Sequence, residues 1–255
     1  MPDLRVASFN VRNGRALDGR HAWPFRRRAC VATVAALDAD VIGLQEVYAF
    51  QLRAILRGSG YTACGDGRSA RRRGEHCAVL TRPPLRVVEH VTRWFGDHPD
   101  RPGSRLDGAR FPRIATTCLL ELEPSGVVVQ FTNTHLDSRA ADRRRRSVEQ
   151  LVTWLDPRRP QIVVGDFNAE PGAAELEPLG AAGLRPALPA DAGGTVHGFT
   201  GRSDGRRLDH IFVSDHVEVV AAGVERSRVT RRLPSDHWPV VAELRLTSSQ
   251  RSIYI

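Results

Sequence analysis

The chain has 255 residues, of which 41% are hydrophobic and 26% charged, and this composition excludes a disordered or membrane-embedded chain. The net charge of +8 favours polyanionic partners, but the sequence contains no lysine, so all 37 basic residues are arginine. The use of arginine at every basic position is typical of a bias in genome composition rather than of selection for a binding site. The charge alone therefore favours neither nucleic acid nor a small phosphate as the partner.

The cysteines and the amino terminus indicate the compartment. The four cysteines (Cys30, Cys64, Cys77 and Cys118) form no CxxC pair, which favours buried free thiols over a zinc site or a disulfide framework. The first ten residues enter a strand pattern without the cationic region and apolar core of a signal peptide. No apolar run approaches the length of a membrane span. We therefore expect a cytoplasmic protein with no membrane span and no obligate protein partner.

Buried strands and helices alternate in the first sixty residues. Strands are predicted at 4–10 and 41–44, and helices at 25–37 and 48–56. This order, strand, helix, strand, helix, is typical of a layered α/β protein. The stretch 62–74, rich in glycine and arginine, is predicted to be a surface loop.

Strands dominate the rest of the chain. They are predicted at 77–81, 85–94, 113–121, 127–134, 162–164, 208–213, 217–224 and 240–246. Helices are predicted at 140–155 and 173–182, a long loop at 96–112, and a fraying tail from Ser248. Because neither a linker nor a repeat interrupts the pattern, we expect one domain over residues 1–255, with its core at about 4–246.

Polar residues stand at the ends of these strands. The motifs that carry them are SFNVR, LQEV, NTHLDS, GDFNAEPG, LDHIFVS and PSDHWPV. Taken alone, Asp166 and Asn168 after strand 162–164 favour an ordinary turn. Together the motifs indicate a site at strand ends, where α/β sheets bind their ligands. The carboxylates and carboxamides of these motifs offer the oxygen ligands that Mg²⁺ prefers. Histidines beside a metal act on substrate oxygens. Together these residue types are suited to the attack of water on a phosphate ester.

In this order the six motifs resemble the endonuclease/exonuclease/phosphatase superfamily with the deoxyribonuclease I-like fold, over residues 4–246. GDFN and SDHWPV carry most of the specificity. The resemblance implies an α/β fold, a four-layer sandwich of two packed mixed β-sheets flanked by helices. It also implies a Mg²⁺- or Mn²⁺-dependent phosphoesterase in which water attacks the phosphate ester without a covalent intermediate.

The resemblance implies metal-binding and water-activating roles for five residues. Glu46 is expected to be the main metal ligand, with Asn10 beside it. Asp236 is expected next to the metal, as a ligand or as a partner of one. Asp166 is expected to orient or deprotonate the attacking water, while Asn168 holds that water or a phosphate oxygen.

The resemblance implies roles toward the phosphate for five more residues. His237, oriented by Asp209, is expected to contact the scissile phosphate. His135 is expected to be a second phosphate-facing histidine and a candidate acid for the leaving group. Glu75 is a candidate partner of His135, with a plain loop carboxylate as an equal alternative. Arg113 in FPRIAT is expected to bind a phosphate oxygen.

Three departures bear on the substrate. Arg12 stands where abasic-site endonucleases of this superfamily carry an acidic residue, and their SDHCP is SDHWP here, so dedicated abasic-site repair is disfavoured. The segments WFGDHPDRPGS and FPRIAT resemble bacterial members related to the nocturnin and deadenylase branch. His197 in TVHGF is a candidate specificity residue, although a lone loop histidine is more often unrelated to function.

Three function classes follow from these motifs. The first is a phosphatase or phosphodiesterase acting on a small molecule or lipid headgroup, favoured because aromatic residues, which stack bases, are only 6% of the chain. The alternative is a nuclease acting on DNA or RNA, favoured by the arginine content. A non-catalytic binding protein is disfavoured because every motif is intact.

Overall fold

The structure, a computed structural model, describes residues 4–247, and in this range twelve strands form two mixed six-stranded sheets. The strands are β1 (Leu4–Asn10), β2 (Val41–Tyr48), β3 (Thr62–Cys64), β4 (Glu75–Thr81), β5 (Leu85–Trp94), β6 (Ile114–Leu122), β7 (Val127–His135), β8 (Gln161–Asp166), β9 (Leu184–Pro186), β10 (Asp209–Ser214), β11 (Val217–Val224) and β12 (Val240–Leu246). The first sheet has the order β11-β12-β1-β2-β4-β3, and the second has the order β5-β6-β7-β8-β10-β9.

Helices cover the outer faces of the two sheets. The helices are α1 (Trp23–Ala36), α2 (Ala49–Leu56), α3 (Ala141–Thr153) and α4 (Glu177–Ala181), with short 3₁₀ turns at Gly19–His21 and Ala174–Leu176. The first two pack on the first sheet, and the other two pack on the second sheet. This is the four-layer α/β sandwich that the sequence predicts, so the fold expectation is confirmed. None of the helices between residues 4 and 247 is long and apolar enough to cross a bilayer.

Alternation along the strands explains the two kinds of core. In β8, Ile162 and Val164 point between the sheets, whereas Val163 points to the helices on the outside. Because both faces of the strand are covered, its apolar run is continuous rather than alternating with polar residues. Gly43 in β2 permits the close approach of the sheets, since a Cβ there would lie 2.5 Å from Val164 Cγ2.

The predicted elements differ from the observed ones mainly at strand edges. Strand β2 runs on through Gln45 and Glu46 to Tyr48, with a break in its register against β4 between Leu44 and Val47. The expectation of a loop at 62–74 is wrong at its start, because β3 lies there as an edge strand paired with β4. Strand β9 was not predicted. The predicted tail from Ser248 lies outside the described residues.

Candidate active site

Strand register brings the polar motifs to one edge of the sandwich. Each sheet contains one parallel pair, β1 with β2 and β7 with β8, so the carboxyl ends of both strands in a pair coincide. His135 at the end of β7 lies opposite Asp166 at the end of β8. Asp209 begins the antiparallel strand β10, directly opposite Asp166. Asn10 joins the two sheets, because its Nδ2 donates a hydrogen bond to Asp166 Oδ2 over 3.0 Å.

His135 and Asp166 line a cavity of about 510 Å³, whereas Asn10 and Asp209 are absent from its lining. Charged and polar groups dominate its lining, with Phe111 the one aromatic side chain besides the histidines. Among the residues expected in the site, the lining contains Glu46, Glu75, Arg113, His135, Asp166, Asn168 and His237. A cavity of this size is typical of small-molecule sites.

Backbone geometry fixes Asp166 and Asn168. Gly165 sits so close to β7 that a Cβ there would lie 2.1 Å from the backbone oxygen of Thr134. Asn168 has a φ of 51°, in the left-handed region that asparagine tolerates. In that conformation its backbone N–H donates to Asp166 Oδ1 over 2.9 Å, and its Nδ2 donates to the backbone oxygen of Leu136. The turn residues of GDFN thus hold a carboxylate in place.

His237 and Asp209 form a buried ion pair. His237 Nδ1 donates to Asp209 Oδ2 over 2.8 Å, and Asp209 has no solvent exposure. Burial lowers the pKa of His237, but the charge and hydrogen bond of Asp209, together with Asp166 and Asp236, raise it overall to about 10. Thr195 Oγ1 accepts hydrogen bonds from the backbone N–H groups of Leu208 and Asp209, which fixes the start of β10. The site therefore holds a cationic imidazole at neutral pH.

Asp166 and His135 are shifted in opposite directions. Burial and the neighbouring Asp209 raise the pKa of the Asp166 carboxyl, although His237 and Asn10 oppose this. Burial lowers the pKa of His135 well below its usual value, and the cations Arg113 and Arg68 lower it further. His135 Nε2 lies 3.5 Å from Asp166 Oδ2. A basic carboxylate and a neutral imidazole therefore share this side of the cavity.

Glu46 occupies a strained position beside them. Its φ is 59°, which is unusual for glutamate, and it lies in the break in register of β2. Its Oε2 accepts from the backbone N–H of Asn13 over 2.7 Å, and its Oε1 lies 3.3 Å from Asn10 Nδ2. Asn10 Oδ1 accepts from the backbone N–H of Arg12, so the Asn10 amide donates to the carboxylates here instead of offering them its oxygen.

The donor set fits a hard divalent cation. Glu46, Asp166 and Asn168 offer oxygens to one cavity, and Asp209 Oδ1 is buried without a hydrogen-bond partner among residues 4–247. The nearby Cys77 thiol has its pKa raised to about 12 by burial, so the site has no thiolate for a softer metal. Ligand atoms of Asp166, Asp209 and His237 come within 4.8 Å of one another, but His237 Nδ1 is occupied by its bond to Asp209.

Asp236 is absent from the cavity lining and is held by neighbouring side chains. Its Oδ2 is 3.4 Å from Arg12 Nη1, and its Oδ1 accepts from Ser235 Oγ. Arg12 in turn binds Asp18 through Nε and Nη2. Arg26, 1% exposed, donates to the backbone oxygens of Val11 and Arg12 and so anchors this loop. The hydrogen bond to Asp18 raises the pKa of Arg12, and the charges of Asp236 and Glu46 raise it further.

Glu75, a candidate partner of His135, and His197, a candidate specificity residue, both have other partners in the structure. The Glu75 carboxylate accepts from Arg68 over 2.8 Å and from Asn13 Nδ2 over 2.7 Å. The His197 ring is buried, packs at 4.4 Å on Trp238, and is absent from the cavity lining. Its Nδ1 accepts from the backbone N–H of Gly201. The His197 ring therefore supports this turn, and its role in substrate specificity stays a prediction.

Arginines form the cationic part of the cavity. Arg113 lines the cavity and forms no ion pair with any described residue, and burial lowers its pKa. Arg68, which the sequence reading assigned to a solvated loop, also lines the cavity and lies 4.7 Å from the ring centre of Phe111. Arg110 covers the same ring at 5.1 Å. Nothing in the sequence distinguished Arg68 from the other loop arginines.

Sequence reasoning also missed the polar connection between the sheets. Gln45 Nε2 donates to Asn133 Oδ1 over 2.7 Å and to Ser8 Oγ over 3.0 Å, with all three residues fully buried. Asn133 Nδ2 donates in turn to the backbone oxygens of Leu44 and Ala78. The signal was present in LQEV and NTHLDS, where a polar residue interrupts an apolar strand next to the site.

The profile of the Endonuclease/Exonuclease/phosphatase family matches residues 7–237. The chain belongs to this family. Members of the Endonuclease/Exonuclease/phosphatase family are hydrolases of phosphate esters, and the fold is one shared by phosphoesterases and nucleases. No curated protein matches the chain.

Solved structures of family members match nearly the whole chain. A family protein from Bacteroides thetaiotaomicron is 30% identical with a TM-score of 0.86, over 94% of this chain and 97% of that one. A mannosyl-6-phosphatase from the same species is 30% identical with a TM-score of 0.84, over 94% and 99%. The human nocturnin catalytic domain with bound sulfate, at 23% identity and a TM-score of 0.72 over 97% and 96%, shares the fold.

Proposed function

We propose that this protein is a divalent-metal-dependent phosphoesterase that releases phosphate from small polar phosphomonoesters such as sugar phosphates. The observation that carries the proposal is the convergence, in one cavity of about 510 Å³, of a cationic histidine, a basic carboxylate and an unpaired arginine. These are the groups that bind a phosphoryl dianion and activate water.

The shape and lining of the cavity favour a small substrate over a polynucleotide. Its volume is within the range of small-molecule sites. Phe111, the exposed aromatic at the cavity, already has the guanidinium groups of Arg68 and Arg110 over its ring, so it offers little free surface for stacking a base. The 30% identical mannosyl-6-phosphatase supports a phosphorylated sugar as the first substrate to test.

Each residue of the site has a chemical task in this proposal. Arg113 binds a phosphoryl oxygen and the Nε2–H of His237 binds the leaving oxygen of the same phosphate, since neither the guanidinium nor that ring nitrogen has another ionic partner among residues 4–247. Asp166 accepts the proton of the attacking water, because burial makes this carboxylate more basic than one in solvent. Asn10 and Asn168 hold the two Asp166 oxygens and so set its direction.

Proton delivery to the leaving oxygen falls to His237 rather than His135. His237 is protonated at neutral pH, whereas burial and neighbouring cations keep His135 neutral. Neutral His135 then serves as a hydrogen-bonding group next to Asp166. Glu46, with Asp166 or Asn168 as further oxygen donors, would hold a Mg²⁺ or Mn²⁺ ion. The bound ion would supply positive charge to the phosphoryl oxygens and make the attacking water more acidic.

A substrate panel tests the proposal. Purified protein with Mg²⁺ or Mn²⁺ is assayed for phosphate release from hexose 6-phosphates, for cleavage of bis(p-nitrophenyl) phosphate, and for cutting of single-stranded DNA and RNA. We expect metal-dependent release of phosphate from a sugar phosphate, lost with EDTA. The Asp166→Asn variant should lose activity by roughly a hundredfold or more.

Glu149→Gln is the matched control, because it removes an exposed carboxylate on α3 that pairs only with Arg145. It should keep full activity. Cleavage of oligonucleotides with sugar phosphates left intact would replace the proposal with a nuclease. Inactivity on every substrate with both metals would favour a binding protein instead.

A further inference from the structure

Two cysteines from different sheets meet at the side of the sandwich. Cys64 is the last residue of β3 in the first sheet, and Cys118 lies within β6 in the second sheet. Their Sγ atoms are 2.8 Å apart, and all four cysteines of the chain are free thiols. A disulfide bond is about 2.05 Å long, so bond formation needs an approach of less than about 1 Å.

The backbone on both sides of Cys64 fixes this encounter. Before it, β3 pairs with β4, which places Cys64 opposite Val79. After it, Gly65 has a φ of +111° and lies so close to β6 that a Cβ would stand 2.9 Å from Thr116 Oγ1. The backbone N–H of Asp66 then donates to Thr92 Oγ1 of β5 over 2.9 Å. The chain therefore contacts the second sheet directly after Cys64, and the Cys64 sulfur lies against Cys118 of β6.

The two thiols are chemically unequal. The hydrogen bond from Cys118 lowers the pKa of Cys64, and the same bond together with burial raises the pKa of Cys118. Cys64 is half-buried on an edge strand, while Cys118 is fully buried. An oxidant from solvent therefore meets Cys64 first, and the thiolate form of Cys64 is the nucleophile.

We propose that Cys64 and Cys118 form a reversible disulfide that links the two sheets when the protein meets a peroxide. The Cys64 thiolate attacks one peroxide oxygen, the O–O bond breaks, and a sulfenic acid forms with release of water after protonation. Cys118 Sγ then attacks the Cys64 sulfur, the S–O bond breaks, and a second water leaves with the Cys118 proton. Two electrons pass from the sulfurs to the peroxide.

The other two cysteines cannot form such a bond. Cys30 and Cys77 are buried, have no sulfur partner among the described residues, and have thiol pKa values raised to about 12 by burial. They are therefore internal references within the same protein. The disulfide closes a loop between positions 54 residues apart and ties the edge strand β3 to the second sheet. This inference is independent of the proposed function, because its readout is a covalent bond.

Mass spectrometry of the full chain tests the proposal. Protein is treated with hydrogen peroxide at about pH 7.5, denatured, alkylated with iodoacetamide, and digested without reduction. We expect two of the four thiols to resist alkylation, a linked peptide pair containing Cys64 and Cys118, and recovery of all four thiols after dithiothreitol. Four alkylated cysteines after treatment, or over-oxidation of Cys64 without a link to Cys118, would overturn the proposal.

Two variants make the test specific. Cys64→Ser should keep its three remaining thiols alkylatable after peroxide, because the nucleophile is gone. Cys30→Ala, the control, should form the same linked peptide as the wild-type chain. A linked pair that includes Cys30 or Cys77 in the wild-type protein would also overturn the proposal, and this result does not depend on whether a variant folds.

Discussion

Removing the charge of Asp209 is the sharpest test of the electrostatics in the site. Asp209→Asn keeps the shape of the side chain but takes a negative charge from a position 2.8 Å from His237 Nδ1. Burial alone lowers the pKa of His237, and Asp209 is the leading cause of its rise to about 10. An opposite charge at this range shifts a pKa by roughly 1 to 3, so the pKa of His237 should fall by that amount in the variant.

Nuclear magnetic resonance measures this pKa directly. Histidine labelled at Cε1 is titrated in metal-free protein from about pH 5 to about pH 10, with His237→Gln used to assign the signal. The wild-type His237 signal should remain that of the cation above about pH 9. Glu149→Gln, which removes an exposed carboxylate on α3, is the control variant and should leave the His237 midpoint unchanged. Equal His237 midpoints in both proteins would refute the reasoning.

The same ion pair makes stability depend on pH. Because the pKa of His237 is about 10 in the folded protein and 6.5 in the unfolded chain, its contribution is fully present below pH 6.5 and is lost as pH rises through about 10. The difference corresponds to at most about 5 kcal/mol. Urea unfolding of the metal-free proteins should therefore show the wild-type advantage over Asp209→Asn shrinking above pH 6.5. Parallel stability curves would contradict this account.

Three further changes test the frame of the site. Asp166→Asn should raise the free energy of unfolding at about pH 8 by about 1 kcal/mol or more, because burial disfavours the charged Asp166 carboxylate. The same variant should lose activity. A lower free energy of unfolding in urea would contradict this expectation. Gln45→Leu should lower the free energy of unfolding in urea by about 2 kcal/mol, since Asn133 Oδ1 loses its buried donor. An unchanged urea midpoint would show that the hydrogen bond between Gln45 and Asn133 contributes nothing to stability. Gly165→Ala should lower the free energy of unfolding by roughly 2 kcal/mol or more, because its Cβ would meet a backbone oxygen of β7. Gly180→Ala, whose Cβ meets no atom within 4 Å, is the control and should not lower the melting temperature.

Patterns in the sequence predicted most strands and helices because their causes are local. The apolar run Ile162–Val164, for example, is continuous because both faces of β8 are covered, and the polar residue after it marks the end of the strand. Strand β3 escaped prediction since it has only three residues and depends on pairing with β4. Short edge strands of this kind form through tertiary contacts rather than through propensity.

In the candidate site, too, some features follow from the sequence and others depend on tertiary contacts. The motifs placed Glu46, His135, Asp166 and His237 at strand ends, and the structure brings them around one cavity. Their roles remain predictions. Glu75, a candidate partner of His135 or a plain loop carboxylate, pairs with Arg68, which reaches it from a loop whose path no local pattern specifies.

The sequence by itself determined which residues stand at strand ends, since the length of each apolar run and the polar residue after it are local properties of the chain. Only the tertiary structure decided how those residues are charged. His237 is cationic and His135 neutral because one lies against Asp209 and the other lies buried beside Arg113 and Arg68. The same holds for Cys64 and Cys118, which meet only where the two sheets pack. Protonation and thiol chemistry depend on burial and on distances across the fold, and neither quantity exists until the sheets are assembled.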